Sequence, residues 1–443
     1  MSTRPTITRP GPWAFPQPDR YETRCGADLL AFDLPGQHVV SVQVTCPLPL
    51  DTEPEAYEGV GAIMARTLDE GAAGRGPEEM VELLERTGVS LHAGVGERGL
   101  VVDMDVSGRR LPEALSLLVD VLTTPTLGED EVARQVRTRL AEIDQEEAHP
   151  GMRAAREFAR TYYAPGTRAS RPTAGSPQTV SAITADVVRA RHAQVRPVGS
   201  SIVVAGDLRG LDVRALVDEA FAGWTGGPAA STPAPLVRAQ DARRLVVVDR
   251  PGSVQSELHL GCTGPDRRVE GGWAPFPVIA YLLGGSPHAR LDAVLREEKG
   301  FTYGMRSNAR PRSGNGLFMT TGSVRTEVTA EALDLTLSIL DAPATEGFTA
   351  AETTAGVDYL SLTAPGRFAT ADVVAAEAAA RALDGLGTAH TSEVLADTLT
   401  LTPERLTEAY RAHVDRQWTV VVVGDADALV PTLTTDLPVE VVG

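Results

Sequence analysis

Residues Thr184 to Asp207, TADVVRARHAQVRPVGSSIVVAGD, come back as Thr402 to Asp425, TPERLTEAYRAHVDRQWTVVVVGD. The two stretches align without a gap at an offset of 218 residues, Thr184 answering Thr402 and Asp207 answering Asp425. Each reads as a threonine-capped helix, a short turn, a β-branched strand and a Gly-Asp stop. A period this long in a 443-residue chain means two tandem homologous domains, not a solenoid of short repeats. Other pieces repeat as well. The strand ending at Cys46 answers Glu257 to Cys262, and Leu127 to Val132 (LGEDEV) answers Phe348 to Thr353 (FTAAET). The expected division is a first domain over 1–225, a Pro/Ala/Gly-rich linker over 226–239 (GGPAASTPAPLVRA) and a second domain over 240–443.

Within the first half the pattern alternates between strand and helix periods. Asp28 to Phe32 reads as a short strand. His38 to Cys46 puts Val40, Val42 and Val44 on one face and Val39, Ser41 and Gln43 on the other. Val89 to Ala93 and Gly99 to Val106 alternate again and are expected to pair. Helices are expected at about Gly59 to Leu68, Pro77 to Thr87, Leu111 to Leu122, Glu129 to Glu147 and Met152 to Tyr163. Residues 1 to about 20 hold five prolines and read as an extended arm.

A net charge of −18 argues against nucleic acid and anionic membranes as partners. No run approaches the ~18–20 apolar residues of a membrane span, and MSTRPTITRPGPWAFPQP has no apolar signal core. Cys25, Cys46 and Cys262 form no disulfide framework and no C-x-x-C pair. Cys46 and Cys262 end apolar strands and are expected to be buried, inert thiols. A cytoplasmic, reducing setting is the expectation.

Two constellations bear on chemistry. The first is Gly59 to Ala72, GVGAIMARTLDEGA: a glycine-led helix with a Gly-Ala exit. It resembles the helix that carries the inverted zinc motif H-x-x-E-H of the pitrilysin–insulinase metallopeptidases, the inverzincins. On that resemblance the first histidine falls on Ala62, the glutamate on Ala65 and the second histidine on Arg66. Two methyls donate nothing to a metal, and an arginine repels a cation. Glu142, eight residues before Pro150 in LAEIDQEEAHP, falls where the family's third zinc ligand stands. Without histidine partners it is expected to be a solvated helical carboxylate. None of the eight histidines stands within three to five residues of another, so no substitute pair is visible. The loop GGSPH, Gly284 to His288, lacks a P-loop lysine.

The second constellation is Arg290 to Ser307, RLDAVLREEKGFTYGMRS. It is similar to the family's second signature, R-L-x-x-x-L-R-E-x-x-G-L-x-Y-x-V. Gly300 suits a helix stop, with Lys299, the only lysine, on the negative end of the dipole. The resemblance implies that Arg296 and Tyr303 reach the zinc site of another half-molecule, the guanidinium gripping a carbonyl or carboxylate and the phenol donating to an oxyanion. The competing description is a salt-bridged surface arginine and a core tyrosine.

The resemblance spans about Asp28 to Asp425 and is closest to the small two-domain bacterial type, similar to mitochondrial processing peptidase subunits. It implies an α+β fold of two tandem homologous α/β sandwich domains, each a mixed, mostly antiparallel sheet covered by helices. It also implies a zinc-less subunit of a heterodimeric metallopeptidase acting on short or unfolded peptides, leader peptides among them. The partner is then a homologous H-x-x-E-H subunit holding the zinc, with no cofactor in this chain. The alternative is an inactive scaffold or peptide-binding homologue.

Overall fold

The computed structural model describes residues 11–228, 234–312, 314 and 316–443. The first ten residues of the proline-rich arm and residues 229–233 of the expected linker lie outside them. Twelve strands form two six-stranded sheets. The first holds β1 (Asp19–Glu22), β2 (Asp28–Asp33), β3 (Val39–Cys46), β4 (Ser90–Gly96), β5 (Gly99–Ser107) and β6 (Ser201–Gly206). Its order is β1-β2-β6-β3-β5-β4. The second holds β7 (Leu245–Asp249), β8 (Gln255–Gly264), β9 (Thr302–Arg310), β10 (Gly316–Arg325), β11 (Thr419–Gly424) and β12 (Val439–Val442), in the order β12-β7-β11-β8-β10-β9. The β2–β6 and β7–β11 pairs are parallel and the remaining matched pairs antiparallel. This is the mixed, mostly antiparallel α+β architecture expected from the sequence.

The duplication extends to individual hydrogen bonds. Thr184 and Thr402 both cap their helices, accepting from the N–H groups of Val187 and Arg405. Asp207 accepts from Gly36 N–H at 2.9 Å, and Asp425 accepts from Gly252 N–H at 2.8 Å. Asp33 accepts from Leu208 N–H and Asp249 from Ala426 N–H, both at 3.0 Å. The repeated Gly-Asp stop is therefore a strand terminator that ties down the neighbouring turn. The sixth strand breaks the symmetry: β1 arrives from the N-terminal side and runs antiparallel to β2, whereas β12 arrives from the C-terminal side and runs parallel to β7.

The β6 and β11 sequences, SIVVAG and TVVVVG, are buried along their whole length. Such uninterrupted apolar runs require cover on both sheet faces. One face of the first sheet, with Val40, Val42 and Val44, packs on helices of its own half, including Leu111–Thr123. The other face carries Ser41, Gln43 and Thr45. They are buried under the Ala371–Leu383 helix of the second half. Ala371, Ala375, Ala378 and Ala379 line that contact, and such small side chains let helix and sheet approach closely.

The exchange is reciprocal. Ala154, Phe158 and Tyr162 of the Pro150–Tyr162 helix pack on Val246, Val421 and Val423 of the second sheet. Gly261 makes room: a Cβ there would stand 2.3 Å from Phe158 Cζ. Each half thus supplies one helix to the sheet of the other, and burying each large side chain contributes ~1.5–3 kcal/mol. Cys46 and Cys262 are free and buried, and burial pushes the Cys46 thiol up to about 12. Among the described residues, no helix is long and apolar enough to cross a membrane.

Candidate functional site

The first constellation lies on the Val60–Thr67 helix. Gly59 enters it at φ 95°, and a Cβ there would meet Ala174 O at 2.7 Å, so the position admits only glycine. The buried Glu53 carboxylate accepts from Gly59 N–H at 3.1 Å and Gly61 N–H at 2.9 Å. Negative charge at a helix N-terminus is favourable there, and Arg168 balances it at 3.0 Å. Ile63 and Met64 point into the core. Ala65 is buried, and Ala62 and Arg66 are partly exposed on one side of the helix, one turn apart.

Arg66 grips Glu142 of the Glu129–Ala148 helix with two parallel hydrogen bonds, Nη1 to Oε1 at 2.9 Å and Nη2 to Oε2 at 2.8 Å. Arg139, itself 4% exposed, adds a third donor to Glu142 at 3.2 Å and binds Glu146 at 2.9 Å. Hydrogen bonding from Arg66 first, then from Arg139, holds the Glu142 carboxyl below its usual range. The sequence-based picture of Glu142 as a solvated carboxylate is corrected: it is the acceptor of a charge-assisted network. The signal for this was present, since Arg66 and Glu142, two of the three zinc-ligand positions implied by the resemblance, bear opposite charges. Nothing in the sequence pattern pointed to Arg139 or Glu53.

Ala62 and Ala65 offer no donor atoms, and the one carboxylate is engaged by a guanidinium, so the residues here do not fit a zinc ion. Among the described residues, no group of three or more His, Cys, Asp or Glu side chains is arranged to hold a metal.

The second constellation separates cleanly into structural and unassigned residues. Leu291 and Leu295 are fully buried. Arg290 clamps Glu352 at 2.7 and 3.0 Å and the Gly347 carbonyl at 2.8 Å. Asp292 is buried and accepts from Met305 N–H at 2.7 Å and Arg306 at 2.8 Å. Arg296 sits on a π-helical turn, Ala293–Glu298, that Gly300 ends at φ 63°. Such turns recur at functional sites. Among the described residues its one ion pair is with its neighbour Glu297 at 3.5 Å.

Tyr303, near the start of edge strand β9, is 92% exposed, and its hydroxyl makes no hydrogen bond among the described residues. A core tyrosine is therefore excluded. Arg296 and Tyr303 border one cavity of about 390 Å³ with Gln255, Phe301 and Arg325. All of its lining comes from the second half, so the structure keeps this pair apart from Ala62, Ala65, Arg66 and Glu142.

A profile of the insulinase family, peptidase family M16, matches residues 33–174, and one of the peptidase M16 inactive domain matches residues 182–360. The two lie head to tail across both halves of the duplication. The chain belongs to the M16 peptidase family. This M16 chain is 25% identical over 344 residues to a protein of Mycobacterium tuberculosis named an uncharacterized zinc protease, covering 77% of this chain and 78% of that one. It is 27% identical to one so named from Streptomyces coelicolor, covering 67% and 65%. Among solved structures, a peptidase M16 inactive domain from Pseudomonas fluorescens superposes with a TM-score of 0.85 at 23% identity, covering 92% of this chain and 98% of that one. A protease from Helicobacter pylori also reaches 0.85, at 17% identity, covering 93% and 100%. At these identities the likeness establishes the two-domain M16 fold.

Proposed function

We propose that this M16 chain is the zinc-free half of a two-subunit metallopeptidase, supplying Arg296 and Tyr303 to peptide held in a partner's site. The observation that carries the reading is the state of the second signature. Its leucines, Arg290 and Asp292 are consumed in packing and ion pairs, whereas Arg296 and Tyr303 face solvent, with no side-chain hydrogen bond among the described residues and only the long Arg296–Glu297 ion pair between neighbours. The Tyr303 hydroxyl satisfies no group among the described residues of the isolated chain. The partner is a homologous subunit bearing H-x-x-E-H and the metal that Ala62, Ala65 and Arg66 cannot bind. In the complex the Arg296 fork holds a peptide carbonyl or carboxylate. The Tyr303 hydroxyl donates to the oxygen on which negative charge develops during cleavage. The substrates are short or unfolded peptides.

A scaffold or peptide-holding role is the second reading, favoured by the loss of the first motif. The deciding experiment is co-expression with an H-x-x-E-H homologue, followed by cleavage assays on the heterodimer carrying Tyr303→Phe. The variant keeps the ring and removes one donor, so kcat is expected to fall ~10²–10³-fold with subunit association unchanged. Wild-type turnover by that variant would leave the scaffold reading standing.

A further inference from the structure

A second, larger site lies at the seam between the halves. The β4–β5 turn, Gly96 to Gly99, meets the far end of β9 across a groove of about 580 Å³. Arg98, Arg267, Arg310, Arg312 and Arg381 line it against two carboxylates, Glu97 and Asp384. This excess of positive charge stands in a chain whose net charge is −18. Asp384 alone is shared by three guanidinium groups, from Arg98 and Arg267 at 3.0 Å and Arg381 at 3.3 Å. Arg312 pairs with Glu97. The Arg310 side chain has neither ion pair nor hydrogen bond among the described residues, and the residues outside them, all in MSTRPTITRP, AASTP, Ser313 and Asn315, carry no side-chain carboxylate.

Arg381 is 5% exposed, and its Nε and Nη1 face Glu377 at 3.4 Å and Asp384 at 3.3 Å without completing a hydrogen bond to either. Two buried donors held only by long ion pairs have capacity left for a further acceptor. Arg267 is held below the usual arginine range, by burial first and then by its neighbour Arg381.

The groove does not end there. Arg267, Ala309 and Pro311 also line an adjoining cavity of about 510 Å³, whose walls include Trp273, Leu360, Phe368, Val373 and Leu395. Its size is that of a small-ligand pocket. His390, with a buried Nε2 lacking a partner, opens into it.

We infer that this composite site binds a carboxylate carried next to an apolar side chain, the carboxylate on the arginines and the apolar group in the pocket beside Trp273. A peptide can present such a carboxylate on an acidic side chain or at its C-terminus. That a peptide is the source rests on the function proposed above; the charge and shape of the site do not. Arg310 contributes to affinity without structural duty, because it is exposed and unpaired.

The test uses the isolated full-length chain and fluorescein-labelled, C-terminally amidated Ala-Ala-Phe-Glu-Ala-Ala, with anisotropy as the readout. The acidic peptide is expected to bind, and its Phe-Gln counterpart to bind about tenfold more weakly. The Phe-Gln peptide with a free C-terminal carboxylate separates the two sources: recovered affinity assigns the site to a chain end. Arg310→Glu is expected to weaken the acidic peptide by about tenfold or more with an unchanged melting temperature. Equal affinity for the acidic and neutral amidated peptides, or unchanged affinity in Arg310→Glu, would overturn the inference. Because binding is read without the partner, failure of the heterodimer to cleave leaves this result intact, and the reverse also holds.

Discussion

A guanidinium and a zinc ion meet the same electrostatic demand at Glu142, since both bring positive charge to a half-exposed carboxylate. Only the metal has further coordination positions to offer. Replacing Arg66 alone leaves Glu142 with Arg139, and the pair's side chains are both 35% exposed, so Arg66→Ala is expected to cost only ~1 kcal/mol in thermal unfolding. Rebuilding the donor set is a sharper experiment. Ala62→His with Arg66→His supplies two imidazoles beside a Glu142 released from the Arg66 fork and held only by Arg139 at 3.2 Å, and near-stoichiometric zinc is expected after dialysis, read by atomic absorption. Ala62→His alone should retain no zinc, because Arg66 still occupies the carboxylate. Equal metal in the single variant would show that Arg66 is not what excludes it. Much of this site was legible from residue types: Ala62, Ala65 and Arg66 lack donors wherever they lie. The pairing of Arg66 with Glu142 was not, because it joins two helices across 76 positions of chain.

Elements are fixed at their ends by groups that report on pH. Glu352 completes a capping box with Thr349 and receives the Arg290 fork, which holds its carboxyl down to about 2 from 4.5. A depressed carboxylate stabilises the fold fully above the unfolded value and loses that contribution as pH falls from 4.5 towards 2. Glu352→Gln is therefore expected to lower stability at neutral pH by ~1.5–3 kcal/mol and to flatten the melting temperature across that acid range. A parallel shift of the wild-type and variant curves would place the acid sensitivity elsewhere. Strand and helix periods were readable because one buried face imposes them, as at Val40, Val42 and Val44. The cover over Ser41, Gln43 and Thr45 was not readable, for a physical reason. Their cover, an alanine-rich helix more than 320 positions away, leaves no trace in local alternation. Gly261 likewise reads as an ordinary strand glycine, although Phe158 needs its missing side chain. Gly261→Ala should cost ~1–3 kcal/mol by overpacking, and chemical unfolding measures it directly; a neutral result would mean Phe158 can yield.

At the scale of the whole molecule, the repeat correctly announces two homologous units but says nothing of the helix exchange that locks them. A chain cut within 226–239 would leave one piece with the Pro150–Tyr162 helix lacking its sheet and the other with the Ala371–Leu383 helix lacking its own. Each piece expressed alone is expected to aggregate, and the two co-expressed to form a 1:1 complex that melts cooperatively, as followed by gel filtration and calorimetry. A soluble, cooperatively folding first half would contradict this.

The exchanged Pro150–Tyr162 helix also bears on the history of the chain. A duplicated unit without metal donors at its motif would ordinarily be free to erode or be deleted. Here the first half roofs the sheet from whose edge Tyr303 projects, so the function proposed for the second half would also require the first half's packing. The first unit is a tenant whose departure would bring down the neighbour's ceiling.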